Sequence, residues 1–408
     1  METSIATVCL SGGLSEKLSA IAAAGFRTVE IFESDVLSYN GTPADIAEEL
    51  KALNLKVVTF QPFRDFEGMP EPQRQRAFDR AERKFDLMQA LGFHKAAQHK
   101  SKDVARWTQG AINLVINKEK EGFAHSHYIT HGPSVCAIGL KVDDAAAAID
   151  RAEKLHDTPF RQKVGPGELE IPAVRGMGGS LLYFLDPMSE LGKVWDIEFE
   201  PVAKDGANPG AKTGAGLTTV DHISQSTYYE DMLSWLLFYT SLLDVRKTPQ
   251  VDINDPGGVV RSQVVKSEDG ALRIPMNGSQ SQRTQSSRFL NEYFGAGVQH
   301  IAFNTSDIVA TAERFKANGV PILEIPENYY DDLEARVDLP AARLAVLKAN
   351  NILYDKDADG EYMQIYTRSF NDLFFLEIVE RRGYKGFGAI NAPIRLNAQS
   401  RLAPDAAL

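Results

Sequence analysis

The sequence has little cysteine, no long apolar run and fewer basic than acidic residues. Its two cysteines, Cys9 and Cys136, are too few for a disulfide framework or a metal-binding cysteine motif. Both lie in apolar, strand-like runs, so we expect buried thiols. No run of about 18 apolar residues predicts a membrane span, and the first ten residues lack the pattern of a secretion signal. We therefore expect a cytoplasmic protein.

The charge balance limits the classes of partner. The chain carries 44 Lys and Arg against 55 Asp and Glu, a net charge of −11. This excess of negative charge disfavours nucleic acid and anionic membranes as partners. The 408 residues, 43% hydrophobic and 24% charged, are typical of a globular protein with two or three domains.

The first ninety residues alternate between strand and helix patterns. Three consecutive βα units favour parallel strands. A closed (β/α)8 barrel needs eight units and about 250 residues, so we expect an incomplete, TIM-barrel-like segment at residues 1–91. The predicted strands are residues 4–10, 28–32 and 56–61, and the predicted helices are residues 14–25, 44–53 and 71–91.

The pattern then changes to short strands with single helices, which is typical of an α+β fold. We predict strands at residues 104–117, 135–142 and 180–185, and a helix at residues 143–155. Residues 204–216 are rich in Gly, Lys and Ala and predict a linker. The predicted domains are therefore residues 92–203 and 217–395.

A weak repeat follows the linker. A Val-x-His-Ile strand occurs at residues 220–223 and again at residues 298–301, each time before a helix and further strands. Residues 135–140 begin a similar layout without a histidine. Any chemistry that the repeat carries would therefore belong to the last two copies.

The repeated histidines are candidate metal ligands. His222 and His300 are 78 residues apart, and 77 residues further on Glu377 interrupts an apolar strand. A buried carboxylate costs several kcal/mol unless it is paired, protonated or bound to a cation. Two histidines and one carboxylate are the ligands of non-haem Fe(II) oxygenases. The alternative is two core histidines with Glu377 paired to Arg381 or Arg382.

A second group of histidines lies in an H-x-H-x3-H pattern at His125, His127 and His131. Such spacing can bind a divalent metal on a strand and turn. The segment lies between two glycines and shows no strong periodicity, so we expect exposed histidines in a connecting loop.

Several stretches of the second part of the chain carry a resemblance to a known family: residues 99–113, 131–136, 175–179, 220–222, 273–277, 297–300 and 375–377. Through them, residues 90–382 resemble 4-hydroxyphenylpyruvate dioxygenase, an enzyme of the vicinal-oxygen-chelate fold built from βαβββ modules. The resemblance implies a dioxygenase of aromatic catabolism that acts on a small aromatic or cyclic keto acid with O2.

This resemblance implies that His222, His300 and Glu377 bind Fe(II), although such ligands also accept Mg²⁺, Mn²⁺ or Zn²⁺. Two aromatic positions depart from the family: Tyr366 and Ala392 stand where it has phenylalanine. The implied substrate-binding residues are Ser262, Asn277, Gln285, Gln299, Gln364, Phe375 and Phe387.

The first ninety residues and the closing segment 383–395 resemble bacterial 3-dehydroshikimate dehydratases, which carry a sugar-phosphate-isomerase-like barrel ahead of a dioxygenase-like half. In that family later barrel strands supply the metal ligands, and this chain has no counterpart of them. Dehydration of 3-dehydroshikimate to protocatechuate is therefore the alternative function, and we expect it to be impaired. A non-catalytic regulatory or oligomerising module is a second alternative, and we expect a homo-oligomer.

The junction between the two resemblances lacks an opening strand for the first chelate module. We hypothesise that the strand at residues 56–61 is recruited for that place.

Overall fold

The computed structural model describes residues 4–10, 12–32, 35, 39, 43–61, 88–162, 164–202, 214–370 and 373–402. It divides into two compact units, Met1–Ala77 and Phe78–Leu408. Most of the predicted helix 71–91 and most of the predicted linker 204–216 lie outside the described residues. Among the residues that are described, no helix is long and apolar enough to cross a membrane.

The described residues of the first unit include a small parallel sheet and the helices of the alternating pattern that the sequence predicts. Its strands pair in the order β1-β2-β3, and all pairings are parallel. Leu18, Ile21 and Val29 are buried in its own small core. The elements are Ser4–Ala6 (β1), Leu14–Ala23 (α1), Thr28–Phe32 (β2), Pro43–Ala52 (α2) and Lys56–Gln61 (β3), with a 3-10 turn at Thr7–Cys9.

The hypothesis that residues 56–61 join the first chelate module is wrong. Strand β3 pairs in parallel with β2, so its backbone groups serve the sheet of the first unit. In the second unit, the place beside the strand His94–His99 is taken by Phe199–Pro201, which returns from the end of that module and pairs antiparallel.

Residues 88–202 of the second unit form two small sheets. One has the strand order β10-β4-β5-β6 and the other the order β7-β9-β8. The strands are His94–His99 (β4), Val104–Gln109 (β5), Ile112–Asn117 (β6), Ala137–Lys141 (β7), Ala173–Arg175 (β8), Leu181–Leu185 (β9) and Phe199–Pro201 (β10). The helices are Gly122–His131 (α3), Ala145–Lys154 (α4) and Val194–Glu198 (α5).

The segment 104–117, predicted as one strand, is a hairpin. Gln109 faces Ile112 across a two-residue turn. Gly110 has a φ of +56°, and glycine is the residue that adopts this left-handed conformation without strain. The sequence signal was present as a single glycine within an otherwise strand-like run.

Residues 214–402 form a nine-stranded sheet. Its path is β12-β14-β15-β11-β16-β19-β18-β17, with β13 paired to β14. The strands are Leu217–Ser226 (β11), Arg246–Lys247 (β12), Val251–Asp255 (β13), Gly258–Lys266 (β14), Arg273–Gly278 (β15), Gly297–Thr305 (β16), Leu353–Lys356 (β17), Glu361–Tyr366 (β18) and Phe375–Arg382 (β19). The helices are Met232–Leu242 (α6), Gln285–Tyr293 (α7), Ile308–Asn318 (α8), Glu327–Arg336 (α9), Ala341–Ala349 (α10) and Ala392–Ser400 (α11).

The predicted repeat is visible in this sheet. In each copy the first strand pairs in parallel with the last: β11 with β15, and β16 with β19. The two copies join through the antiparallel pair of their histidine-bearing strands, β11 and β16. The α+β fold with chelate-type modules is therefore confirmed, and the junction of the two copies brings the repeated histidines together.

One apolar core runs through the second unit. It includes Leu182 and Phe184 from residues 88–202, and Tyr239 and Phe303 from residues 214–402. At one point the two parts meet backbone to backbone, because a Cβ added to Gly178 would overlap the carbonyl oxygen of Ala296.

We expect Gly178→Ala to destabilise the protein strongly. Gly178 has a φ of +65°, and a methyl group there would also collide with Ala296. The matched control is Gly179→Ala, since Gly179 has a φ of +75° and open space around its Cβ position. In the control, the free energy of unfolding should fall by only about 1–3 kcal/mol, which is the cost of a left-handed backbone conformation for alanine. Chemical denaturation of both variants measures this, and equal losses would contradict the close backbone contact.

Candidate metal centre

The sheet register places the three candidate ligands on one face. His222 on β11 lies opposite Ala302 on β16, and Ala302 lies opposite Glu377 on β19. His300 precedes Ala302 by two residues, so the two share a face, because side chains alternate along a strand. The small side chain of Ala302 leaves room in the middle of this row.

The ligand atoms converge at short distances. Nε2 of His222 lies 3.2 Å, and Nε2 of His300 3.3 Å, from Oε2 of Glu377. All three side chains are buried, and their ligand atoms lie within 4.8 Å of one another. Within the residues that the structure describes, this is the one group of three or more such side chains that could hold a metal ion.

A β-bulge brings a second carboxylate, that of Asp221, to the centre. Along β11 the register passes from Val220 to His222 while β16 advances by one residue, so Asp221 is the extra residue of a bulge. The bulge lets neighbouring side chains meet, and Oδ1 of Asp221 lies 2.8 Å from Nδ1 of His222. This contact fixes the ring so that Nε2 is the nitrogen left to bind a metal.

The arginines near the centre do not pair with Glu377. Arg381 donates from Nε and Nη2 to the two carboxylate oxygens of Asp221, at 2.7 and 2.8 Å. Arg382 binds Glu380 instead, at 2.6 Å. Neither arginine therefore makes the pairing considered as the alternative, and the groups beside Oε2 of Glu377 are the two imidazole rings. This donor set fits a divalent cation.

The charges of the centre are tightly coupled. Burial alone would lower the pKa of His222, but the carboxylates of Glu377 and Asp221 outweigh it and raise the pKa to about 9. Burial lowers the pKa of His300 to about 4, although the carboxylate of Glu377 acts to raise it. Burial opposes ionisation of Glu377, yet the two histidines hold its pKa well below the usual range. Without metal, the centre thus holds one proton on His222 at neutral pH.

Two side chains of β18 donate hydrogen bonds to Oε1, the other oxygen of the Glu377 carboxylate. Nε2 of Gln364 donates to Oε1 of Glu377 at 2.9 Å, and the hydroxyl of Tyr362 donates to the same oxygen at 3.2 Å. These bonds leave Oε2 facing the histidines. Asn391, just before helix α11, donates in turn to Oε1 of Gln364 at 3.0 Å.

Two phenylalanines flank the histidine rings, and both are among the predicted substrate-binding residues. Phe375 stacks on His300 with a centroid distance of 4.6 Å, and Phe387 meets His222 edge to face at 6.3 Å. Such apolar walls exclude water and strengthen electrostatic interactions within a site.

Three of the four remaining polar candidates lie on the same sheet, and the fourth lies on helix α7. Ser262 and Asn277 are cross-strand partners, and Nδ2 of Asn277 donates to Oγ of Ser224 at 3.0 Å. Gln299 is the bulged residue before His300, just as Asp221 precedes His222. Gln285 opens helix α7 and donates to the carbonyl of Leu396 at 3.2 Å. Their role in substrate binding stays a prediction.

Asp221, Tyr362 and Arg381 support the centre and were missed as support residues by the sequence analysis. The sequence did contain a signal for Asp221, because it is the residue at position x of the first Val-x-His-Ile motif, directly before the histidine. Tyr362 and Arg381 had none, since their places follow only from the register that sets Tyr362 opposite Arg381.

The second histidine group is not a loop. His125, His127 and His131 lie in helix α3, and none of them is exposed. His131 stacks on Tyr293 at 4.4 Å and its Nδ1 lies 2.6 Å from that residue's carbonyl oxygen, so packing against helix α7 explains the burial. The expectation of exposed loop histidines is wrong.

The expectation of buried cysteines is also wrong. Cys9 is exposed, in the 3-10 turn that shortens the first predicted strand. Cys136 is half-buried, and desolvation raises the pKa of its thiol.

Family models match three parts of the chain. The model described as xylose isomerase-like TIM barrel matches residues 18–116. The model for the N-terminal part of hydroxyphenylpyruvate dioxygenase matches residues 76–200, and that of the glyoxalase, bleomycin resistance protein and dioxygenase superfamily matches residues 219–360. The first two overlap, in agreement with a short junction between the barrel-like and dioxygenase-like parts.

Full-length relatives are bacterial 3-dehydroshikimate dehydratases. The protein from Pseudomonas aeruginosa is 30% identical over 98% of both chains. The protein from Pseudomonas putida is 29% identical over 100% of this chain and 99% of the relative. The first alignment runs over 630 positions, whereas this chain has 408 residues, so more than 200 positions of the relative face gaps.

Other relatives match only part of the chain. A 4-hydroxyphenylpyruvate dioxygenase from a Pseudomonas species is 34% identical over 75% of this chain and 86% of its own length.

Among solved structures, a xylose isomerase-like TIM barrel/4-hydroxyphenylpyruvate dioxygenase fusion protein covers 99% of this chain with a TM-score of 0.67 and 28% identity. A mutant 4-hydroxymandelate synthase from Streptomyces coelicolor shares the fold over 79% of this chain, with a TM-score of 0.67 and 23% identity.

We expect Glu377→Gln to weaken binding of a divalent metal by at least about tenfold, because it removes the anionic ligand and even outer-shell partners contribute about 10–100-fold. Glu380→Gln is the matched control. Glu380 is buried on the same strand but accepts from the backbone of Ile308, away from the histidines. Metal titration of both refolded variants measures this, and equal metal affinity for Glu377→Gln and the wild type would refute the centre.

Metal binding should release about one proton at neutral pH. The proton on His222, whose pKa is raised to about 9, must leave before Nε2 can bind a metal. His300 is already neutral and Glu377 already ionised, so neither adds to the release. Metal affinity should therefore rise with pH up to about 9 and then level off. Calorimetry in two buffers of different ionisation enthalpy counts the protons, and a count of zero would contradict this assignment.

Proposed function

The chain belongs to the family of the bacterial 3-dehydroshikimate dehydratases, and we propose that it is a metal-dependent lyase that converts 3-dehydroshikimate to protocatechuate. The observation that carries the proposal is the match from end to end with two such enzymes. The relative named as a 4-hydroxyphenylpyruvate dioxygenase matches 75% of the chain. This order reverses the expectation from sequence, which put the dioxygenase first.

The resemblance implies that the dehydratases take their metal ligands from later barrel strands, which have no counterpart in this chain, so we place the reaction at His222, His300 and Glu377 instead. More than 200 positions of the P. aeruginosa relative face gaps in this chain, and the one three-ligand group among the described residues lies in the second unit. The substrate carries a ketone and a hydroxyl on neighbouring carbons. His222, His300 and Glu377 would hold a divalent ion, whose charge would polarise these oxygens and acidify the carbon–hydrogen bond beside the ketone.

The reaction is balanced without an oxidant. The carbon–hydrogen bond beside the ketone breaks, the neighbouring carbon–oxygen bond breaks with loss of water, and the ring becomes aromatic after a further proton shift. The chain's own residues would hold the substrate in a dry site. Phe375 and Phe387 flank the histidines, and Gln364 and Tyr362 keep the Glu377 carboxylate in place.

A keto-acid dioxygenase of the 4-hydroxyphenylpyruvate type is the second candidate. Two histidines and one carboxylate are typical ligands of Fe(II) in oxygenases, and this geometry favours it. Partial relatives of 34% identity carry that name. A keto acid also offers two oxygens on neighbouring carbons, so the two candidates share one mode of chelation and differ in the need for O2.

The test compares both substrates with the metal-loaded full chain. Without air, and with Mg²⁺, Mn²⁺, Zn²⁺ or Fe(II) in turn, we expect 3-dehydroshikimate to give protocatechuate, measured by chromatography. Glu377→Gln should lose this turnover and Glu380→Gln should keep most of it.

Other outcomes separate the candidates. Oxygen uptake coupled to loss of 4-hydroxyphenylpyruvate, with no protocatechuate from 3-dehydroshikimate under any metal, would replace the lyase by the dioxygenase. Dehydration that survives Glu377→Gln would move the lyase away from this centre. Failure of both reactions would favour a non-catalytic module.

A further inference from the structure

A guanidinium group lies beside the metal centre, on helix α11. Cζ of Arg395 is 5.2 Å from the ring centroid of Phe375 and 5.6 Å from that of Tyr366. Phe375 in turn stacks on His300. Tyr366 lies opposite Glu377 in the sheet, so both rings belong to the face that carries the ligands. Arg395 therefore reaches over the same face as the metal centre.

Arg395 has donors to spare. Within the described part of the chain, its side chain makes one hydrogen bond, from Nη1 to Oε1 of Gln399 at 2.6 Å, and no carboxylate lies within ion-pair distance. Gln399 is 7% exposed, and its Nε2 is a buried donor with no hydrogen-bond partner among those residues. Two neighbouring side chains thus present unused donors, and a carboxylate is the group whose two oxygens match a guanidinium fork.

The other arginines near the centre are already paired. Arg381 makes a two-pronged contact with Asp221, and Arg273 lies 3.4 Å from the same carboxylate. Asp221, which orients the ring of His222, balances the positive charge of these two arginines. Arg395 differs from them because its positive charge has no partner of opposite sign in the described structure.

Ala392 stands one turn before Arg395 on the same helix, and residues three apart share a helix face. The small side chain of Ala392 fills little of the helix face that carries Arg395.

We propose that Arg395, with Gln399, binds a substrate carboxylate that is separate from the two oxygens held by the metal. This specificity residue selects a small ring acid whose carboxylate stands apart from its neighbouring oxygen pair. The inference rests on the proposed function and extends it, since 3-dehydroshikimate has this arrangement. A 2-keto acid does not, because its own carboxylate supplies one of the chelating oxygens.

The test uses two ligands that differ by the carboxylate alone. Catechol offers two neighbouring oxygens, and protocatechuate offers the same pair plus a carboxylate on the ring. Binding of each to the metal-loaded full chain is measured by calorimetry, so the readout does not depend on turnover. We expect the wild type to bind protocatechuate at least about tenfold more tightly than catechol, the size typical of charge-assisted hydrogen bonds.

Three variants locate the effect. Arg395→Gln should bind catechol as the wild type does and lose the preference for protocatechuate. Arg395→Lys keeps the charge without the fork and should retain part of the preference. Arg368→Gln is the matched control, because Arg368 pairs with the exposed Glu324 and should leave the preference unchanged. Thermal unfolding and metal content are measured for each variant to show that the fold and the centre persist.

The outcomes separate this inference from the proposed function. Equal affinity of the wild type for the two ligands, or a preference that survives Arg395→Gln, would overturn the role of Arg395 whether or not 3-dehydroshikimate is turned over. Binding of neither ligand would overturn it as well. Loss of preference in Arg395→Gln without any dehydration would support the carboxylate site and reject the lyase.

Discussion

The buried carboxylate of Glu377 is the constraint around which the second unit is arranged. A charge in the middle of a sheet costs several kcal/mol unless its neighbours compensate for it. His222 and His300 supply that compensation at one oxygen, while Gln364 and Tyr362 donate to the other. Each of these partners needs support of its own, which is why ordered polar contacts extend outwards to Asp221, Arg381 and Asn391.

The two repeats share a bulge before the histidine but have different residues in it. In both histidine strands the residue before the histidine is bulged: Asp221 in one copy and Gln299 in the other. The carboxylate orients its histidine, whereas Nδ1 of His300 is buried without a hydrogen-bond partner in the described residues. The copies are thus similar in backbone and unequal in charge, which explains why the single proton of the metal-free centre stays on His222.

The sequence predicts which three side chains converge at the candidate centre better than it predicts the residues around them. His222, His300 and Glu377 were found from equivalent positions in a repeat and from a carboxylate within an apolar strand, both of which are local signals. Which arginine pairs with which acid was not predictable, because Arg381 and Asp221 meet only through the register of distant strands. The helix at residues 122–131 was missed because its burial depends on packing against Tyr293 rather than on its own periodicity.

The ligands of the centre come from strands far apart in the chain, and this has a consequence for folding. His222 belongs to one repeat, while His300 and Glu377 belong to the next, so a bound ion would link the two repeats across their shared strand pair. Any ligand that binds only the folded state adds stability in proportion to the logarithm of its concentration. If the centre binds a metal, the stability of the contact between the two repeats would depend partly on the concentration of metal around the protein, and a shortage of metal would weaken that contact first.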